Sequence, residues 1–263
     1  MKRIEILGSG RPKVCILSIV HGNEICGLSA VEDIKKIPEG NIKGTLNLIR
    51  ANLEANKENK RFVEINLNRV FPGKQDGKLE EQIAYDISNY MADCDYLLDL
   101  HSSSEDTPPF AIVSEDTEEH YKLASVMGLG KYVVLGKVIE GSSLEKKGNE
   151  LRIAVECGQH TEETTKENAK EIAMNLLIGL GIVKGEDKKT KPEKYQITGK
   201  IDIRDKENFV PNQNLKSFKE IKKGEIIGYY KDEPMKAEKD FYPILVDKEM
   251  KEELLFIAEP ILE

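Results

Sequence analysis

The chain has 263 residues, of which 39% are hydrophobic, and a formal net charge of -8. This length fits one large domain, or one large and one small domain, with enough apolar residues for a core. The acidic balance argues against a nucleic-acid partner, and no apolar run approaches the roughly 20 residues that span a bilayer. The first residues lack the apolar core of a signal peptide, so we expect a cytoplasmic protein that is not bound to a membrane.

Strand-like and helix-like segments alternate along the chain up to residue 183. Strands are predicted at 3–7, 13–20, 44–51, 96–101, 110–113, 132–135 and 152–156, and helices at 24–36, 79–91, 117–127 and 164–180. This alternation predicts an α/β fold with helices on both faces of a sheet. In such folds the functional site lies at the carboxyl ends of the strands.

Residues 184–194 are charged and contain no large apolar side chain, which predicts a linker. A solvated loop within one domain is the alternative. After this segment the sequence shows short strands at 195–203, 225–230 and 242–246 and no strong helix. We therefore expect a larger domain at 1–184 and a small β-rich domain at 195–263.

A histidine and a glutamate three residues apart follow the apolar run 14–20. His21 directly follows the predicted strand and Glu24 opens the next helix, so the two side chains should face the same way. Imidazole nitrogens and carboxylate oxygens are ligands of zinc in proteins. The motif alone is weak evidence, because His-x-x-Glu also occurs by chance.

A second histidine, His101, ends a predicted strand. His21, Glu24 and His101 together would leave a fourth metal position open, which is the pattern of catalytic zinc sites. Asp99 shares a strand face with His101 and could orient it. The alternative is that each histidine is an ordinary buried residue.

The other two histidines carry less information. His120 stands in a polar helical stretch, and we expect it to be exposed. His160 follows the turn after Glu156 and is left open as a neighbour of the site. Glu156 itself ends an apolar strand, which is typical either of a general base that moves a proton or of an acid that caps the next helix.

Four motifs occur in an order that resembles the succinylglutamate desuccinylase/aspartoacylase family, a branch of the zinc carboxypeptidase fold. They are His21-Gly-Asn-Glu24, Asn66-Leu-Asn-Arg69, Asp99-Leu-His101 and Val155-Glu156-Cys-Gly. The segments Lys223-Gly-Glu-Ile-Ile-Gly and Asp240-Phe-Tyr-Pro are similar to the C-terminal β domain of that family. The resemblance implies a zinc-carboxypeptidase-like mixed sheet with helices on both faces, and a small C-terminal β-rich domain that helps to form the substrate cleft.

Members of this family hydrolyse the amide bond of N-acyl amino acids. The resemblance implies one zinc ion per chain, bound by His21, Glu24 and His101. It also implies that Glu156 is the catalytic acid/base and that Arg61 polarises the scissile carbonyl. The substrate would be a small carboxylated amide, and a homodimer is compatible with this assignment.

The resemblance also implies substrate-binding residues. Asn68 and Arg69 match the pair that holds the substrate carboxylate, and Tyr242 matches a substrate-contacting tyrosine of the C-terminal domain. Lys146, with Lys147 beside it, stands where aspartoacylases carry an arginine for the acidic side chain of the substrate. Asn66 replaces the aspartate of the family motif, so a supporting carboxylate is missing there.

Two further functions remain open at this stage: a carboxypeptidase-like activity on short peptides, and a zinc-binding relative without catalysis. Glu156 and Arg61 argue against the second, because metal binding alone requires neither. A serine hydrolase is disfavoured because the sequence contains no Gly-x-Ser-x-Gly motif.

Overall fold

A computed structural model describes residues 2–136, 139–145, 148–250 and 253–262 of the chain. The strands within these ranges are β1 (Ile4–Ser9), β2 (Lys13–Ser18), β3 (Gly44–Arg50), β4 (Tyr96–Ser103), β5 (Phe110–Val113), β6 (Lys131–Val134), β7 (Leu151–Gln159), β8 (Glu193–Ile201), β9 (Phe209–Pro211), β10 (Ile226–Tyr230), β11 (Glu233–Lys236), β12 (Tyr242–Ile244) and β13 (Leu255–Pro260). The α-helices are α1 (Cys26–Ile34), α2 (Leu53–Lys57), α3 (Leu79–Ala92), α4 (Glu118–Val126) and α5 (Glu163–Gly179).

Most of the described strands form one large mixed sheet in the order β1-β3-β2-β4-β7-β5-β6-β8-β13-β12. Strands β3, β2, β4 and β7 run parallel, whereas β5 is antiparallel to β7. A separate antiparallel sheet contains β11, β10 and β9. The structure confirms the predicted fold, an α/β mixed sheet with a smaller β-rich part.

Both faces of the sheet are covered by helices, and β2 shows why. Its alternate residues Val14 and Ile16 pack in one apolar cluster with α1, α4 and α5, while Cys15 and Leu17 pack in another with α3. A strand whose side chains are buried on both faces reads as a continuous apolar run, which is the pattern of residues 14–20. None of the helices in the described ranges is long and apolar enough to cross a membrane.

The chain beyond the predicted linker contributes to both sheets. Strand β8 pairs in parallel with β6 and is followed in the large sheet by β13 and β12. The boundary between domains 1–184 and 195–263 therefore stays a prediction. Three of the described strands, β9, β11 and β13, were not predicted. Strands β9 and β11 are only three and four residues long and each contains a proline, so their strand signal is weak. The apolar part of β13, by contrast, carries an ordinary strand signal.

Arg152 in the apolar strand β7 and Glu150, which directly precedes the strand, form a buried ion pair. Nη2 of Arg152 donates to Oε1 of Glu150 over 2.6 Å, and the two side chains are only 3% and 1% exposed. Nη1 of Arg152 donates to the backbone carbonyl of Ser143 over 2.8 Å. Burying both charges is costly, so removing one partner leaves the other without compensation in a place that water cannot reach.

We expect Glu150→Ala to lower the free energy of unfolding by about 3–5 kcal/mol, because it leaves the Arg152 guanidinium buried without its carboxylate. Urea unfolding measures the change. Glu118→Ala, which removes an exposed i,i+4 partner of Lys122, is the control and should change stability little. Equal losses in both variants would show that the buried Glu150–Arg152 pair contributes no more to the free energy of unfolding than an exposed pair does.

Candidate metal centre

The turn after β2 places His21 and Glu24 at the carboxyl end of the sheet. Ile19 in this turn has a φ of 49°, a conformation that non-glycine residues adopt rarely. Gly22 lies so close to α2 that a Cβ there would be 2.4 Å from the Ala55 carbonyl carbon. Its N–H donates to the Arg61 carbonyl over 3.0 Å. The glycine therefore lets the turn from His21 to Glu24 pack against the segment that carries Arg61.

Three buried side chains, His21, Glu24 and His101, converge so that one potential ligand atom from each lies within 4.8 Å of the others. Nδ1 of His21 lies 2.8 Å from Oε1 of Glu24, and Nδ1 of His101 lies 2.8 Å from Oε2. The two imidazole rings have centroids 5.0 Å apart. The sequence motifs His-x-x-Glu and Asp-x-His thus meet in one cluster.

The outer nitrogens of the two rings are held by acceptors. Nε2 of His21 lies 3.1 Å from Oδ1 of Asn66, and Nε2 of His101 lies 2.9 Å from Oδ2 of Asp99. Oδ1 of Asn66 also accepts from the N–H of Asn68 over 2.9 Å. Because a backbone N–H can only donate, this contact identifies the atom as the amide oxygen and fixes the orientation of the Asn66 amide. An N–H on each Nε2 leaves the Nδ1 lone pair directed at the cluster, as in metal-binding histidines.

The carboxylates of Glu24 and Asp99 favour positive charge at the cluster, on a protonated His101 or on a bound cation that replaces the proton. Burial would raise the pKa of Glu24, but His21 and His101 outweigh it and hold that pKa well below its ordinary value. Burial would lower the pKa of His101, but Asp99 and Glu24 raise it well above its ordinary value. Two nitrogens and a carboxylate form a donor set that fits a divalent ion such as zinc.

Glu156 lies beside the cluster because of strand register. Strands β4 and β7 pair in parallel with His101 opposite Glu156, so both side chains stand on the same face. The Oε2 atom of Glu156 is buried and has no hydrogen-bond partner among the described residues. Burial raises the pKa of Glu156 to about 7, and the Glu24 charge acts in the same direction. A buried carboxylate oxygen without a partner is rare in structural positions.

Two arginines line the same cleft. Nη1 of Arg61 donates to Oε1 of Glu24 over 2.8 Å. Nη1 of Arg69 donates to the Asn68 carbonyl over 2.9 Å, and Nη2 lies 3.9 Å from Oε2 of Glu253. The site therefore combines the His21–Glu24–His101 cluster, a buried carboxylate and two guanidinium groups.

The structure brings together most residues that the sequence singled out. His21, Glu24, Arg61, Asn68, Arg69, His101 and Glu156 all line the cleft. Tyr242 is not among its described lining residues: its ring packs on Tyr195 with centroids 5.4 Å apart. Lys146 and Lys147 lie outside the described residues.

Other residues of the C-terminal part line the cleft where Tyr242 does not: Leu245, Val246, Asp247, Glu253 and Phe256. His160 also lines the cleft, and its Nδ1 lies 2.8 Å from Oγ of Ser102. The expected exposure of His120 is wrong. Its ring is fully buried with Nδ1 2.8 Å from Oγ1 of Thr117, because Leu123 and Ala124 on the same helix turn the residue inward.

Comparisons with known proteins agree with this picture. The family model of the succinylglutamate desuccinylase/aspartoacylase catalytic domain matches residues 11–172, more than half of the chain. A comparison with curated protein sequences gives no significant match.

Solved structures with the same fold share little sequence with this chain. A succinylglutamate desuccinylase/aspartoacylase from Rhodobacter sphaeroides has a TM-score of 0.80 at 16% identity, covering 99% of this chain and 89% of its own. The ectoine utilization protein EutE from Ruegeria pomeroyi has a TM-score of 0.75 at 20% identity, covering 97% and 88%. Murine aminoacylase 3 has a TM-score of 0.76 at 18% identity, covering 96% and 97%. With the match of the family model, the protein belongs to the succinylglutamate desuccinylase/aspartoacylase family of deacylases.

Proposed function

We propose that this protein is a zinc-dependent hydrolase that cleaves the amide bond of a small N-acyl amino acid. One observation carries the proposal: His21, Glu24 and His101 converge in the same cleft as the buried carboxylate of Glu156. The three proposed ligands leave room for a fourth, which is typical of catalytic rather than structural zinc sites.

The chain offers groups suited to a carboxylated amide. Arg69 lines the cleft, and a planar guanidinium can hold a carboxylate through two parallel hydrogen bonds. Asn68 lies next to it, with its Oδ1 already accepting from the Ser143 N–H over 2.8 Å. We propose that this pair binds the substrate carboxylate. Contacts of Lys146 and Tyr242 with the substrate stay predictions.

The chemistry needs a nucleophilic water and a proton for the leaving nitrogen. Zinc bound here would supply a Lewis acid, which lowers the pKa of a coordinated water to about 7 and polarises a carbonyl. Oε2 of Glu156 has no hydrogen-bond partner among the described residues. Glu156 is proposed to accept the proton of the attacking water and to deliver it to the amine. Arg61 is proposed to stabilise the negative charge that develops on the carbonyl oxygen.

The shape of the cleft supports a small substrate over a peptide. Its volume is about 150 Å³, and residues from the C-terminal part, including Val246, Glu253 and Phe256, line it together with the metal cluster. A carboxypeptidase-like activity needs an open groove for the rest of the peptide chain. A zinc-binding protein without catalysis would not need the buried Glu156 or the Arg61 guanidinium.

We expect the purified protein to bind about one zinc ion per chain and His101→Ala to lose most of it, because a three-ligand site loses a nitrogen donor. Metal analysis of folded, dialysed protein gives the occupancy. His120→Ala removes a buried histidine elsewhere and should keep the zinc. Full occupancy in His101→Ala would exclude His101 as a ligand.

Arg69→Lys should raise KM for the best carboxylated substrate about 10- to 100-fold, since a charge-assisted hydrogen bond is worth roughly 1.5–3 kcal/mol. Steady-state kinetics with the free acid and its methyl ester form the comparison. Esterification should weaken binding by the wild type more than by the variant. Equal losses for both proteins would show that Arg69 does not hold the carboxylate.

Zinc-loaded protein should release free amino acid from some members of a panel of N-acyl amino acids. On the best of them, Glu156→Gln should lower kcat about 10²- to 10⁴-fold, because it keeps the size of the side chain and loses proton transfer. Zinc content should stay and KM should move little. Loss of zinc would make Glu156 a ligand or a structural acid, and an unchanged kcat would assign the proton transfer to another group.

A further inference from the structure

A serine in the loop before β7 connects three parts of the site. Ser143 is fully buried. Its Oγ donates to Oδ2 of Asp99 over 2.5 Å, its N–H donates to Oδ1 of Asn68 over 2.8 Å, and its carbonyl accepts from Arg152 over 2.8 Å. No motif in the sequence singled out this residue.

The Ser143 hydroxyl contacts Asp99, and Asp99 in turn contacts the His101 ring. Asp99 is fully buried, and its Oδ2 lies 2.9 Å from Nε2 of His101. Its Oδ1 has no hydrogen-bond partner among the described residues. The Ser143 hydroxyl and the His101 ring therefore share one carboxylate oxygen. A buried carboxylate needs such donors to keep both its charge and its orientation.

The loop that carries Ser143 is anchored on both sides. Gly141 has a φ of 70°, and a Cβ there would be 2.2 Å from the Arg69 carbonyl oxygen. Its own carbonyl accepts from the Phe71 N–H over 2.9 Å. Arg152, paired with Glu150, fixes the Ser143 carbonyl from the other side. The hydroxyl is thus held in place by backbone contacts that do not depend on Asp99.

We propose that Ser143 is a positioning residue: its hydroxyl fixes Asp99, and Asp99 fixes the Nε2–H form and the direction of His101. This inference rests on the proposed metal site. The backbone N–H of Ser143 also holds Asn68, so one residue aligns the proposed metal ligand with the proposed carboxylate-binding pair. Groups that hold a ligand histidine typically change metal affinity 10- to 100-fold when they are removed.

Ser143→Ala should weaken zinc binding by about 10- to 100-fold, measured by competition with a chromophoric chelator. With Co²⁺ as the probe, its visible absorption bands should change, because the His101 ring is no longer held in one orientation. Ser125→Ala is the matched control. It removes a serine hydroxyl that donates over 2.6 Å to the Thr190 carbonyl, far from the site, and should leave both readouts unchanged.

The pair Ser143→Thr and Ser143→Val separates the hydroxyl from the volume of the side chain. The two variants have the same shape, so any disturbance from the added atoms is common to both. Thr should bind zinc more tightly than Val by the same 10- to 100-fold. Equal affinities in the two variants would overturn the proposal, even if Ser143→Ala failed to fold.

A double-mutant cycle with Asp99→Ala, which removes the shared acceptor, tests the route of the effect. If Ser143 acts through Asp99, Ser143→Ala should change zinc affinity little once Asp99→Ala is present. Additive losses would mean that Ser143 acts by another path and would overturn the inference. A wild-type protein that binds no zinc would overturn the proposed function itself, whereas a zinc-binding wild type with unaltered Ser143 variants would overturn only the role of Ser143.

Discussion

The parallel register of β4 and β7 is the constraint on which the centre depends. It sets Leu97 opposite Arg152, Asp99 opposite Ala154 and His101 opposite Glu156. Because strand residues alternate between faces, these six side chains share one face of the sheet. A shift by one residue would move Glu156 to the face that packs against α1 and α5.

Along this shared face, a buried ion pair lies at one end and the candidate site residues lie at the other. Arg152 and Glu150 form a buried ion pair near the start of β7. Ser143 connects this pair to Asp99, because its carbonyl accepts from Arg152 and its hydroxyl donates to Asp99. The next residues on the face are His101 and Glu156. A continuous set of hydrogen bonds thus links the buried ion pair to His101. Changes to the ion pair should therefore reach the proposed metal centre.

The sequence predicted the fold and the convergence of His21, Glu24 and His101 because their signals are local. Apolar periodicity located most strands and helices, and His21 and His101 lie near the carboxyl ends of β2 and β4, where α/β folds place their sites. The contacts of Ser143 could not be predicted, since its partners Asp99 and Asn68 are distant in sequence and serine has no characteristic spacing. The inward-facing His120 could have been found from the apolar residues three and four positions later.

The position of Arg152 in the sequence already indicates a buried ion pair. An arginine inside the run Leu-Arg-Ile-Ala-Val must either leave the core or find a buried partner, and Glu150 stands two residues before it on the same face. The strands β8, β12 and β13 present the opposite difficulty. Strands β8 and β12 were predicted and β13 carries an apolar strand signal, yet only tertiary pairing decides that all three extend the large sheet. The composition break at 184–194 therefore cannot by itself locate a domain boundary.

The replacement of the family aspartate by Asn66 has a physical consequence that the structure makes concrete. The amide oxygen of Asn66 accepts from His21 at the place where a carboxylate would, so the orientation of the ring is kept without the charge. His101 faces the Asp99 carboxylate instead. Since a charged acceptor makes a histidine a stronger donor to a metal, the two proposed ligands are not equivalent. His101, supported by Asp99 and Ser143, should contribute more to metal affinity than His21.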